Sequence, residues 1–194
     1  MKIIKTLFIV VLVLVGFSLF ASPIDDENGS STDNVKYPVD GLYTEPVSSL
    51  LLTGSDMGDG WTTSSKHVSP SEPNWTSSDG NTFLKQYQPG HQVIIALELM
   101  KYDTVANASL AYEGMTSVYS HYSNAESFGV GNASMSLKVT GIAYHYFLYF
   151  QTGNLVMKMF ASAAGLDAIL DMNENDFQNI AKNQFIKISD SLDV

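Results

Sequence analysis

The chain has 194 residues, with neither cysteine nor arginine, and sets ten lysines against twenty acidic residues. A formal charge of −10 lacks the positive field that a nucleic-acid binder needs. The absent arginines remove the bidentate fork that clamps phosphate, and the absent cysteines remove disulfides and thiol chemistry, so the core alone must hold the domain.

Residues 1–21 are a separate object. Lys2 and Lys5 precede an uncharged, almost wholly apolar run from Thr6 to Ala21, followed by Ser22, Pro23 and the acids Asp25, Asp26 and Glu27. This is the anatomy of a secretory signal peptide, with Ala21 as a cleavage position and the larger Leu19 at minus three. The alternative is an uncleaved membrane anchor, slightly short for a span of about 20 residues. Under either reading the lysines stay inside and the body is exported, secreted or anchored to the outer face of the membrane. Membrane contact is expected only through this segment. The exported body keeps eight lysines against twenty acids, a net charge of −12. Such a charge favours solubility outside the cell.

Residues 22–46 are polar and acidic without a period, and read as a disordered tether. The domain is expected from 47 to 194. Four glycosylation triplets stand at Asn28, Asn74, Asn107 and Asn132. They matter only in an exported chain whose host carries the machinery.

Leu50–Leu52 open the domain, and a Gly/Asp turn containing Asp56 and Asp59 leads to a strand over 61–68. The acids do not complete the six to eight oxygen ligands of a calcium cage and read as turn formers. Residues 69–81, rich in Ser, Pro, Asn and Gly, read as a long surface loop or a wide hairpin connection. Trp75 within it is either tucked onto the domain or exposed as a contact for a partner.

Strands are predicted over 82–88 and 91–102, the latter with Val93, Ile95, Leu97 and Leu99 on one face. The period then changes. Val105, Ala108, Tyr112, Met115, Tyr119 and Tyr122 step by three and four, the stripe of an amphipathic helix over 103–124 capped by Asp103 or Thr104. A short alternating strand follows two glycines within 128–140. Residues 142–162 read as an antiparallel hairpin around Gly153, apolar on both faces and therefore central in a covered sheet. Residues 163–170 read as a turn or helical piece. A second amphipathic helix is predicted over 173–192, with Phe177, Ile180, Ala181, Phe185, Ile188 and Leu192 sharing a face.

The motifs for chemistry are few. Asp171, Asn173 and Asn175 imitate the start of an EF-hand loop, but Asp176 stands where glycine is needed and Lys182 where the bidentate glutamate is needed. Helix capping accounts for the same residues. His67, His91 and His145 fall on separate strands, and His121 near a helix end, without a ligand spacing. No nucleophile elbow or phosphate or dinucleotide loop occurs. No catalytic residue, metal ligand or cofactor is therefore expected.

The element order resembles the PsbP-like superfamily and similar exported bacterial and archaeal domains. The residues that carry the resemblance are Asp56–Trp61 and Ala108, Ala111 and Tyr112 on the first helix. Gly129 and Gly131, the hairpin from Phe150 to Val156, and Ile180–Lys182 complete it. The resemblance implies an α+β fold, an antiparallel sheet of five to seven strands with two main amphipathic helices packed on it. It implies a binding, sensor or accessory module rather than an enzyme, with a protein or cell-surface ligand as partner. A small hydrolase with residues converging from loops, and a weak calcium-binding envelope protein, are the alternatives.

Overall fold

In a computed structural model of the protein, the described residues are 41–68, 74–89, 91–119, 121–122, 124–140, 144–164 and 172–191. The leader, most of the tether, Asn28 and Asp171 lie outside them. Among the described residues no helix is long and apolar enough to cross a membrane.

The elements run α1 (Val47–Leu50), β1 (Trp61–Val68), β2 (Trp75–Gln88), β3 (His91–Tyr102), α2 (Val105–Ser117), β4 (Ala125–Glu126), β5 (Ala133–Thr140), β6 (Tyr144–Thr152), β7 (Leu155–Ala164) and α3 (Glu174–Asp190). The strands form one antiparallel sheet in the order β1-β2-β3-β7-β6-β5-β4. The fold is α+β, with α2 and α3 as the substantial helices.

The hairpin β6–β7 lies inside the sheet because both its faces are apolar. Pairing of Thr152 with Leu155 leaves Gly153 and Asn154 as the turn. Gly153 has φ +51°, and a Cβ there would collide with the Gly41 carbonyl, so only glycine fits.

The first sheet face carries the main core. Phe83, Ile95, Leu97, Leu99, Leu148, Phe150, Leu155, Met157 and Met159 are buried against α1 and α3. Asn173 caps α3 in a capping box with Asp176, and Glu174, Asp176 and Lys187 follow the helix dipole. Phe185 meets Phe150 edge-on at 5.6 Å between centroids. Gln184 is fully buried; its Oε1 accepts from Leu52 N at 2.9 Å and its Nε2 donates to Leu50 O at 2.6 Å, fastening α3 to the chain after α1.

Packing begins before Val47. Tyr43 is buried; its N–H donates to Asn154 Oδ1 at 2.7 Å, and Asn154 Nδ2 donates to Tyr102 O at 2.9 Å. The end of the predicted tether therefore belongs to the domain, because a side chain from the distant turn satisfies its backbone.

Three further expectations are corrected. The segment 75–81 is strand rather than loop: β3 is long enough to pair with it from Tyr102 inward, and that ladder overrides a Ser/Gly-rich composition. The helix predicted to Asn124 ends at Ser117, where the Thr116 and Ser117 hydroxyls donate to Tyr112 O and Gly114 O and compete with the helical ladder. Ala163 and Ala164 continue β7, paired with Val93 and Gln92, rather than starting a turn.

Candidate functional site

The second sheet face is covered unevenly. Thr104 caps α2 by accepting from Asn107 N at 3.1 Å. The helix buries Ala108 and rests Tyr112 and Met115 on Met100, Tyr102, Val156, Met135, Leu137 and Tyr149. Tyr119, beyond the helix, packs on Phe147 and Tyr149 at 5.4 and 5.9 Å between centroids.

Past that cover the sheet forms a shelf. Strand register places Thr82, Ala96, Phe160 and Phe147 in one row, and Leu84, Ile94, Ser162 and His145 in the next. All eight are half-buried. The row on the other side, beneath the edge of α2, is Gly80, Glu98, Lys158 and Tyr149. A cavity of about 350 Å³ opens here, lined by Gly80, Thr82, Ala96, Glu98, Phe147, Lys158 and Phe160 among others. Gly80 contributes no side chain, which leaves Glu98 without a neighbour on β2 within its row.

The shelf is aromatic. Phe147 and Phe160 are tilted at 5.3 Å between centroids, and His145 stacks on Phe160 at 5.4 Å. The His145 Nδ1 is buried without a hydrogen-bond partner among the described residues. Burial pushes the Tyr112 hydroxyl up to about 12. Burial also raises that of Tyr149, assisted by its bond to Tyr119 and the charge of Glu98.

A second cavity of about 530 Å³ lies between the β4–β5 edge and the start of α3, lined by Glu126, Lys138, Tyr146, Asn173, Glu174 and Gln178 among others. It is larger but polar. Its cation, Lys138, lies over the Tyr146 ring at 5.5 Å. An apolar floor with a few polar groups is the commoner form of a ligand site, which favours the shelf.

The residues singled out in the sequence do not meet there. Trp75 opens β2, half-buried against the Met100–Tyr102–Val156 cluster, and its Nε1 donates to Ser77 O at 3.0 Å. Asn74 is exposed with φ +68°. Asn107 is half-buried on α2 and its Nδ2 donates to Asp103 Oδ1 at 2.6 Å. Asn132 is exposed and its Oδ1 accepts from Gly153 N at 3.0 Å. His67 on β1 and His145 on β6 are separated by four strand spacings, about 19 Å across the sheet, and the row of His67 reaches β6 at Phe150, not His145. His91 opens β3, and His121 is exposed beside Tyr122. Asp56 Oδ2 accepts from Thr53 N, Thr53 Oγ1 and Lys187 Nζ at 2.7, 2.8 and 2.7 Å. Among the described residues no three His, Asp or Glu groups gather as metal ligands.

Of the shelf residues, Phe147, Lys158 and Phe160 were visible as the second face of the hairpin and Glu98 as an acid on the more polar face of the strand over 91–102. Alternation marks Phe147, Lys158 and Phe160 as facing away from the main core, but nothing in the sequence says that α2 stops short of them.

No family model matches the chain. No curated protein matches it. Among solved structures, the chain is similar to one described as the crystal structure of LpqN involved in cell envelope biogenesis of Mycobacterium tuberculosis, at 9% identity. That match covers 66% of this chain and 84% of the other, with a TM-score of 0.27, a level at which it carries no functional argument.

Proposed function

We propose that the protein is an exported, non-enzymatic binding module whose ligand sits on the aromatic shelf of the second sheet face. One observation carries the reading: Ala96, Phe147 and Phe160 line an open cavity on the second sheet face, beside the part of that face that α2 covers. A half-covered apolar floor flanked by a few charged groups is a form that binding sites take. The leader of residues 1–21 supports export, and the absence of a nucleophile motif supports binding over catalysis. The sequon residues Asn74 and Asn132, both exposed, would carry any glycan away from the shelf's aromatic row.

Photo-crosslinking in the native cell tests the reading. A photoreactive residue replaces Thr82 on the shelf in one variant and Lys182 on the outer side of α3 in another. Adducts of one mass at position 82, absent at 182 and lost on adding Phe147→Ser, are expected. Equal labelling at both positions, or none at 82, would overturn the proposal.

A further inference from the structure

We infer that the shelf takes a small zwitterion of amino-acid type, an ammonium and a carboxylate on one short skeleton bearing an aromatic or other apolar side chain. This rests on the binding reading above and names the ligand class for that site.

The charges on the shelf come as one pair. Glu98 and Lys158 are direct partners across the β3–β7 ladder, and both line the cavity beside Phe147 and Phe160. Side chains so placed have Cβ atoms about 5 Å apart. Among the described residues the ion pair within 4 Å is Lys187 with Asp56, and neither Glu98 nor Lys158 closes one. A carboxylate and an ammonium held side by side, each half-buried, present the charge pattern opposite to that of a zwitterion. The ligand's ammonium meets Glu98 and its carboxylate meets Lys158, two charge-assisted contacts. A lone cation or anion would gain one contact and lie next to a like charge.

The rest of the cavity fits the apolar part. Phe160 and Phe147 form the floor one row away, and Ala96 keeps it low. Gly80 leaves the flank of Glu98 open. At about 350 Å³ the space lies near the small end of ligand pockets, which suits an amino acid and not a two-chain lipid.

Calorimetry on the protein as isolated tests the ligand class. The probes are L-phenylalanine, phenethylamine (ammonium only) and 3-phenylpropionate (carboxylate only). L-Phenylalanine is expected to bind at least about ten-fold tighter than either, one charge-assisted contact being worth about that factor. Glu98→Gln should reduce its affinity to that of phenylpropionate, and Lys158→Met to that of phenethylamine. Thr82→Phe, which fills the shelf from a half-buried strand position, should abolish all three. Equal affinities, or no heat with L-phenylalanine, would overturn the inference. So would tighter binding of dihexanoyl phosphatidylethanolamine, which would point to a lipid headgroup. If crosslinks still map to position 82 while the zwitterion fails, the ligand class falls and the shelf stands; if both fail, the shelf falls too.

Discussion

The imidazole of His145 lies on the ring of Phe160, with planes 25° from parallel, and its Nδ1 is buried with no hydrogen-bond partner among the described residues. A polar atom so placed costs about 1–3 kcal/mol of desolvation with nothing to offset it. The same stack forms one end of the shelf's aromatic floor. The substitution that removes this cost is easy to name.

His145→Phe keeps a ring on Phe160 and removes the orphaned nitrogen. It should raise stability by about 1 kcal/mol, a Tm increase of roughly 2–4 °C for a chain of this size. Thermal melting at neutral pH checks this. A clear fall in Tm would mean that the nitrogen has a partner.

Asn154→Ala should be among the most damaging changes. It leaves the Tyr43 N–H and the Tyr102 carbonyl without their side-chain partner, in surroundings where both tyrosines are buried. A loss of about 1–3 kcal/mol is expected from the removal of two buried hydrogen bonds. Urea unfolding should show a lower midpoint with an unchanged slope.

Asp56 gives an acid-side signature. Its hydrogen bond to Lys187 and those from Thr53 hold its carboxyl at about 2, below its ordinary 3.8. A depressed folded value means that the stabilisation is present above about pH 3.8 and lost as pH falls through about 2. Because the pair is about one-third exposed, it contributes at most about 1 kcal/mol. Asp56→Asn should therefore melt slightly below the parent at pH 6, and the two curves should converge near pH 2.

Alkaline titration reports on the helix–sheet packing. Tyr112 is raised from 10.0 to about 12 by burial, and Tyr149 is raised as well. The folded state keeps protons that the unfolded chain releases, so stability is full below pH 10 and falls as pH rises toward 12. Tyr112→Phe should flatten that loss. Phenolate absorbance that completes its rise at pH 10 in the folded protein would contradict the packing of α2.

Periodicity made much of this fold legible. Val93, Ile95, Leu97 and Leu99 announced β3, the stripe through Phe177, Ala181, Phe185 and Ile188 announced α3, and the doubly apolar hairpin announced the sheet's interior. What stayed hidden depends on partners distant in sequence. Trp75 and Ser78 are in a strand because β3 offers them a ladder. Gln184 and Asn154 look like surface residues, and are buried because backbone groups more than a hundred positions away need them. The site was hidden for the same reason: Glu98 and Lys158 are neighbours only once β3 and β7 pair, and where α2 stops is set by Thr116 and Ser117 rather than by its apolar stripe.

The uncovered part of the second sheet face, and no other surface, is proposed to receive the ligand. Backbone amide shifts of the labelled protein, recorded with and without L-phenylalanine, decide this. Changes confined to Gly80, Thr82, Ala96, Glu98, Phe147, Lys158 and Phe160 are expected. Changes centred on α3 or on the polar groove beside Glu126 and Glu174, with the shelf signals unmoved, would contradict it.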